Sequence, residues 1–503
     1  MITRRGLRTA VVALSVVTVT SGVVGPVAAK PAHPAKKHGV ARPVFAVSTH
    51  PGADVDEDVA EFRLLKDAGV EQIRADFVWS HIEPDGFQKK PSAYDWAQDD
   101  AILAAAKKVG LTVNAVVTYG NVLYSKAGAA HDDDHYPPDR PASFGHFAAD
   151  VARHVTTKFP GVVSFVELWN EPNFGYSFWK PKTNPKAYAR LLCAGYTAVK
   201  KATPTMTVST GGLSMPPAGN SPQITIGGRL FLDQLLTTIG HKTCFDAVAY
   251  HPYVYPQVSP EAVVPDNGNA SVDTYAAQLR AVLKKHGRTH VPLYNTESGW
   301  TTTAEDFPDS VGVTEAMQAR YIVRGNLLSW ARGVPVVTWY DQFDGSDAAT
   351  NPDRESHWGL FHTDHTPKPV VAAMTTFAKV LPKGWTYTAD LSRALKLPAG
   401  TLGVDSGHAL EFSGPKGKHV VALWYANENV PSAQNCAQGV LAFNCPVMPE
   451  LPPPATITAT VTLPAGAKSS ALTTMYGDRS AATPTIELGQ EPVYLSWTGR
   501  ALS

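Results

Sequence analysis

Charge is scarce in this chain. Acidic and basic residues make up 17% of its 503 positions and cancel at 44 each, where roughly 25% is usual for soluble proteins. With no basic excess, electrostatic attraction to nucleic acid is excluded as a basis for function. Cysteine is scarcer still: four residues and no Cys-x-x-Cys pair, which excludes a small disulfide scaffold and argues against zinc or thiol redox chemistry. Long hydrophobic runs are also missing. The run Ala10 to Val19 is too short for roughly 30 Å of hydrocarbon, so no membrane span is expected in the mature chain. What the sequence does have is apolar and aromatic mass: 44% hydrophobic residues, with 11 Trp, 18 Tyr and 18 Phe. That suffices for a large core with side chains left to line a cleft, and it excludes disorder for most of the length.

Residues 1–29 carry Arg4, Arg5 and Arg8, then the short apolar run, then Val27-Ala28-Ala29, the layout of a bacterial-type signal peptide cleaved near Ala29. The chain is therefore expected to be secreted, with residues 30–40 a basic, Pro-rich tether. In an exported chain four cysteines imply disulfides, and three pairings are open. Cys193 with Cys244 and Cys436 with Cys445 are favoured, the second because it closes a short loop.

Short β-branched runs begin near Val44, Gln72, Thr112, Val163, Thr207, Ala247, Leu293 and Val336. Amphipathic stretches lie between them, including Val59-Phe62-Leu65, Ala101 to Lys108, Tyr188 to Lys200, Tyr275 to Lys285 and Ala316 to Trp330. Gly69, Gly110, Gly161, Gly287 and Gly333 stand where helices must stop. Eight such units predict an α/β fold, a (β/α)8 TIM barrel over residues 41–382. Beyond the helix Val370 to Val380 the periodicity turns to short β runs, among them His419 to Tyr425, Thr456 to Thr462 and Pro492 to Trp497. Residues 383–503 are thus expected to form an antiparallel β-sandwich accessory domain. Trp424, Tyr425 and Trp497 are either its core or a carbohydrate-stacking platform.

Barrel chemistry sits at the C-terminal ends of strands, and two glutamates stand there. The fourth run, Val163 to Leu168, opens into Trp169-Asn170-Glu171-Pro172-Asn173, and the seventh, Leu293 to Thr296, ends at Glu297 before Ser298-Gly299-Trp300. Cleaving a glycosidic bond needs two carboxyls, one to protonate the leaving oxygen and one to attack or stabilise the oxocarbenium-like centre.

These motifs resemble clan A retaining glycoside hydrolases over about Val44 to Lys379. Glu167 to Asn173 and Pro137-Pro138-Asp139 are most like family 39 and its bacterial relatives, with family 5 the nearest rival. The resemblance implies that Glu171 is the general acid/base, that Glu297 is the nucleophile and that Asn170 binds the sugar 2-hydroxyl. It further implies that Arg74 and Tyr253 hold Glu297 ionised, that His251 belongs to the site, and that Trp339, with Trp79 and Trp179, stacks on sugar. Arg74 is alternatively an internal ion pair with Glu167, and the three tryptophans compete with ordinary packing. After the third run, Thr118-Tyr119-Gly120-Asn121 departs from either family's pattern.

No cofactor or metal is expected. The loop His131-Asp132-Asp133-Asp134-His135 reads as a solvated acidic segment, and no ion is assigned to Asp341, Asp344 and Asp347. The loops Leu123 to Ser143, Phe174 to Asn184 and Pro216 to Gly228 are expected to wall the cleft. The implied protein is a secreted monomer acting on an oligo- or polysaccharide: a retaining hydrolase of β-linked glycans. The alternatives are a glycan-binding barrel without catalysis and an envelope-remodelling transglycosylase.

Overall fold

The computed structural model describes residues 39–502 apart from 53, 85–93, 176, 216–224, 255–258, 262–270, 303–311, 347–353, 396–405 and 427–455. The segment read as a signal peptide, the expected tether through residue 38, Cys436 with Cys445, Asp347 and residues 216–224 of one loop expected to wall the cleft lie outside these residues.

The strands up to the end of the barrel are β1 (Val40–Ala41), β2 (Val44–Ser48), β3 (Gln72–Val78), β4 (Thr112–Thr118), β5 (Val163–Asn170), β6 (Thr207–Ser214), β7 (Val248–His251), β8 (Leu293–Asn295) and β9 (Val336–Trp339). Strands β2 to β9 pair in parallel and close through Val44 opposite Val336, the expected barrel. Around it run α1 (Val55–Asp67), α2 (Trp79–Ile82), α3 (Ala97–Val109), α4 (Lys126–His131), α5 (Pro141–Lys158), α6 (Pro185–Ala202), α7 (Gly228–Ile239), α8 (Val272–Lys285), α9 (Glu315–Ala331) and α10 (Pro369–Val380). Their starts are written in the sequence. Asp54 caps α1, and Asn184 caps α6 ahead of Pro185, each side chain accepting from exposed backbone N–H groups of the first turn. Five of the helices, α1, α3, α5, α8 and α9, run out at the glycines named above, all at positive φ. Cys193 on α6 is bonded to Cys244, with Cα atoms 4.5 Å apart. Among the described residues no helix is long and apolar enough to cross a membrane.

The remaining strands are β10 (Thr386–Asp390), β11 (Ser406–Gly414), β12 (Lys418–Ala426), β13 (Ile457–Thr460), β14 (Lys468–Thr473), β15 (Arg479–Ala481), β16 (Thr485–Leu488) and β17 (Val493–Thr498). They form an antiparallel sheet in the order β1-β10-β11-β12-β17-β14-β15, faced by the pair β13-β16. The sheet therefore takes its first strand from before the barrel: Val40 pairs with Tyr387 and Ala41 with Thr386. Trp330 of α9 donates its indole N–H to the Val40 carbonyl at 2.9 Å, which pins that strand against the barrel.

Strand alternation decides what the sheet's aromatics do. Val420, Ala422 and Trp424 belong to the cluster continuous with the barrel core, while Val421, Leu423 and Tyr425 join Ile457, Ile486 and Trp497 between the two sheets. Trp424, Tyr425 and Trp497 are at most 4% exposed, so they are core residues and the stacking-platform alternative is corrected. Across the interface the rings of Trp330 and Phe412 lie 4.5 Å apart. Partly buried Glu261, in the segment after β7, accepts from Arg324 of α9 at Nε (2.9 Å) and from Trp424 Nε1 (2.9 Å).

Candidate active site

The polar centre begins on β3. Arg74 points into the barrel and meets Glu167 of β5 through Nε (3.4 Å) and Nη2 (3.3 Å), Asn170 Oδ1 (2.8 Å) and Glu297 Oε2 (2.9 Å). The ion pair with Glu167 and the contact with Glu297 therefore coexist. Burial opposes the arginine's charge, but the carboxylates of Glu167 and Glu297 outweigh it and hold its pKa above the ordinary value. Glu167, fully buried, also accepts from Asn114 Nδ2 (3.0 Å), the Gly212 N–H (2.9 Å) and Thr296 Oγ1 (3.3 Å). A charge so deep in the barrel persists only with its acceptor capacity filled this way.

At the end of β5 the strand alternation breaks. Trp169 and Glu171 take φ of 79° and 44°, a left-handed backbone that costs side-chain-bearing residues on the order of 1–3 kcal/mol each. The first turns Trp169 outward, where its indole donates to the Phe178 carbonyl at 2.7 Å. Asn170 is thereby left facing Arg74 and Tyr119, whose hydroxyl lies 3.3 Å from Asn170 Nδ2. Glu171 then projects toward His251, the last residue of β7, whose Nδ1 is 2.7 Å from Glu171 Oε1 and 3.8 Å from a Glu297 oxygen. Gly212 makes room for that imidazole, because a Cβ there would sit 1.9 Å from Nε2.

Glu297 follows β8. Tyr253 donates its hydroxyl to Glu297 Oε1 at 2.7 Å. One carboxylate oxygen of Glu171, one of Glu297 and a ring nitrogen of His251 all lie within 4.8 Å of one another. Burial pushes both carboxyls above their ordinary pKa. The two remain unequal, since the ionised form of Glu297 is supported by a guanidinium and a phenol, while Glu171 has the single His251 contact and feels the charge of Glu297.

The structure brings together Arg74, Asn170, Glu171, His251, Tyr253 and Glu297. It does not bring the tryptophans, and the expectation of sugar stacking by Trp339, Trp79 and Trp179 is corrected: each is at most 2% exposed. Trp339 points out to α9, donating to Asn326 Oδ1 at 2.9 Å. Trp79 bonds Glu83 at 2.6 Å and stacks on Phe147, and Trp179 packs on Trp169 and Tyr188. Two aromatics that sequence reasoning missed stand by the site. Tyr340 directly follows β9, a strand-end position that carried the signal, and its pKa is raised first by burial and then by neighbouring acids including Asp341 and Glu297. Trp358 packs edge-on against Tyr253 at 5.3 Å and comes from a loop with no periodic signal.

The acidic loop is tied down more than its composition implies. Asp133 pairs with Lys180 and accepts from the backbone and Nδ1 of His135 at 2.9 Å, and Ser80 donates to Asp134 at 2.6 Å. Burial works against the Asp133 charge, but Lys180 and His135 bring its pKa down to about 2. The His135 ring lies 4.4 Å from that of Tyr119, so the loop buttresses the residue that orients Asn170.

No family model and no curated protein matches the sequence. Solved structures do. A family 39 glycoside hydrolase from the gut symbiont Bacteroides cellulosilyticus superposes with a TM-score of 0.64 at 22% identity, covering 91% of this chain and 81% of its own. A family 39 β-xylosidase from Caulobacter crescentus gives 0.58 at 14% identity, over 92% and 98%. A family 30 endoxylanase from Clostridium papyrosolvens gives 0.55 at 12% identity, over 92% and 97%. Barrel and accessory sheet together thus share the fold of these glycoside hydrolases.

Proposed function

We propose that the chain is a retaining glycoside hydrolase acting on β-linked glycans by double displacement. The observation that carries this reading is the approach of the Glu171 and Glu297 oxygens to within 4.8 Å. Retaining enzymes hold their carboxyls about 5–5.5 Å apart, whereas inverting ones leave roughly 6.5–9.5 Å for a water. The fold shared with family 39 and family 30 enzymes supports it independently, and the names of those neighbours supply the β-linkage and the glycan class.

In this mechanism Glu297, ionised beside Arg74 and Tyr253, attacks the anomeric carbon. The neutral carboxyl of Glu171 gives its proton to the departing glycosidic oxygen. A covalent glycosyl–Glu297 ester forms, and Glu171, now a carboxylate, takes a proton from water as that water attacks the same carbon and frees Glu297. Two inversions give net retention. His251 donates Nδ1–H to the carboxylate form of Glu171 and so steadies it between its two roles. Asn170, locked by Arg74 and Tyr119, offers its amide to the sugar 2-hydroxyl. The segment 1–29 supports action outside the producing cell.

The test is hydrolysis of a panel of β-glycans and activated aryl β-glycosides, with the first-formed anomer read by proton NMR. The wild type should release product of unchanged anomeric configuration. Glu297→Gln should lower kcat by about 10^4-fold or more with an unaltered circular-dichroism spectrum, and Glu171→Ala should recover turnover of an activated aryl glycoside with azide. An inverted first product, or near-wild-type turnover by Glu297→Gln, overturns the mechanism. Transfer to sugar acceptors in preference to water identifies a transglycosylase, and glycan binding with no product a binding barrel.

A further inference from the structure

The mechanism uses Tyr119 only to steady Asn170, and its hydroxyl is placed to do more. Tyr119 directly follows β4, and its ring is held on three sides: edge-on to Trp169 at 5.6 Å, parallel to Phe178 at 6.1 Å and 4.4 Å from His135. Behind it the Gly120 N–H donates to the Asp134 carbonyl at 2.7 Å, and the chain from Asp134 to Tyr136 passes so close that a Cβ at Gly120 would run into the Tyr136 carbonyl oxygen. A ring fixed in this way aims its hydroxyl before any ligand arrives.

The direction of each hydrogen bond follows from its donors. A guanidinium only donates, so the Asn170 atom that meets Arg74 Nη2 at 2.8 Å is the amide oxygen, and the amide nitrogen is turned the other way. That nitrogen donates to the Tyr119 hydroxyl oxygen at 3.3 Å. A phenol that accepts this bond still has its own proton to give, and the amide has a second N–H. The hydroxyl stands in the charged chamber, where burial and the charges of Asp76, Arg74 and Glu297 act on it, and among the described residues no hydrogen bond takes its proton. Two donor atoms 3.3 Å apart match the spacing of the two oxygens of a vicinal diol.

Barrel order says which diol. Strands β4, β5, β6 and β7 are successive neighbours, so Tyr119 at the end of β4 and His251 at the end of β7 flank Asn170 from opposite sides. Glu171 turns to the His251 side, which puts the departing oxygen and the anomeric carbon there. With Asn170 on the 2-hydroxyl, the oxygen on the Tyr119 side is that of the 3-hydroxyl.

We infer that Tyr119 is a specificity-determining residue that donates its phenol proton to the sugar 3-hydroxyl, and that with Asn170 it selects a glycosyl unit whose 2- and 3-hydroxyls are both unsubstituted. This deepens the proposed hydrolase reading and rests on it for the placement of the sugar.

The experiment measures binding in Glu171→Gln protein, where turnover is blocked, with and without Tyr119→Phe. The probes are methyl β-D-xyloside, methyl β-D-glucoside, methyl β-D-galactoside and methyl β-D-mannoside, each beside its 2-deoxy and 3-deoxy analogues, and affinities are read by saturation-transfer NMR titration. At least one parent glycoside should bind, and its 3-deoxy analogue about tenfold more weakly, because the phenol proton is then left unmet. Tyr119→Phe keeps the ring and its ring contacts. It should weaken the parent about tenfold and leave the 3-deoxy analogue nearly where it was, so that the two converge, while the 2-deoxy penalty persists. A merely structural role would weaken parent and analogues alike, and the melting temperature of each variant separates lost recognition from lost fold. An undiminished 3-deoxy penalty in folded Tyr119→Phe, an equal loss across parent and analogues, or binding of none of the probes overturns the inference. Hydrolysis of the matching aryl glycosides by the wild type is measured alongside. Convergence of parent and 3-deoxy affinities in a protein that hydrolyses none of them sinks the hydrolase reading and leaves the Tyr119 contact standing; hydrolysis with an undiminished 3-deoxy penalty does the reverse.

Discussion

The mouth of the barrel and the accessory sheet are both rich in aromatics and both buried, and they are built on opposite terms. In the sheet, alternation sends Trp424 to the barrel side and Tyr425 to the other, and the buried polar side chains are few and scattered, Glu411 accepting from the Leu502 N–H and Glu261 from Trp424 Nε1. At the mouth, an arginine, three glutamates and a histidine are packed together, each bonded to at least one of its neighbours. Burying large apolar side chains stabilises by about 1.5–3 kcal/mol each, whereas burying charge costs free energy unless every partner is present. Aromatic density therefore marks structure in this molecule, and clustered buried charge marks chemistry.

The sharpest way to break that contrast is Glu167→Gln. It touches no substrate in the proposed mechanism, yet it removes the charge that anchors Arg74 and through it Asn170 and Glu297. Denaturant unfolding should show a loss of about 3 kcal/mol, with kcat reduced in the same protein. A variant of wild-type stability and rate would show the hub to be dispensable. In the sheet, Trp424→Phe removes the indole hydrogen bond to Glu261 and leaves a gap where the second ring sat against His408, so stability should fall by about 2–4 kcal/mol while kcat and KM stay at wild-type values. A changed kcat would mean that the sheet reaches into the site.

The smallest expected effect is Tyr253→Phe. Its hydroxyl favours the ionised form of Glu297, so removing it raises the pKa of that carboxyl. Because the reaction needs Glu297 deprotonated, the acid limb of the pH profile of kcat/KM should move to higher pH, with the alkaline limb, governed by the proton on Glu171, moving less. An acid limb that stays in place would assign it to another group.

Much of this was legible in the sequence, and the exceptions share a cause. The eight strand starts could be read from β-branched runs, and Glu171 and Glu297 from their positions just past strand ends, where barrel geometry leaves little choice of direction. The tryptophans could not be read so, because along a strand one residue's difference swaps inside for outside. Trp339 ends β9 and points to α9, and the next residue, Tyr340, stands near the carboxylates. At Trp169 the left-handed φ resets the parity altogether, and no spacing rule announces it. Trp358 and the partners of Glu167 depend on contacts between distant segments that local pattern does not encode.

The strand Val40–Ala41 has a consequence for how the molecule is assembled. It covers the edge of β10, but its partner Tyr387 follows the entire barrel in the chain, so during synthesis that short segment waits for the last helix before it can be matched. Contacts of such sequence separation form late and slowly. Until they form, β10 presents an open edge of the kind that recruits other chains. The barrel is thus a loop fastened at its two ends by one small sheet, and the clasp is the step on which clean folding depends.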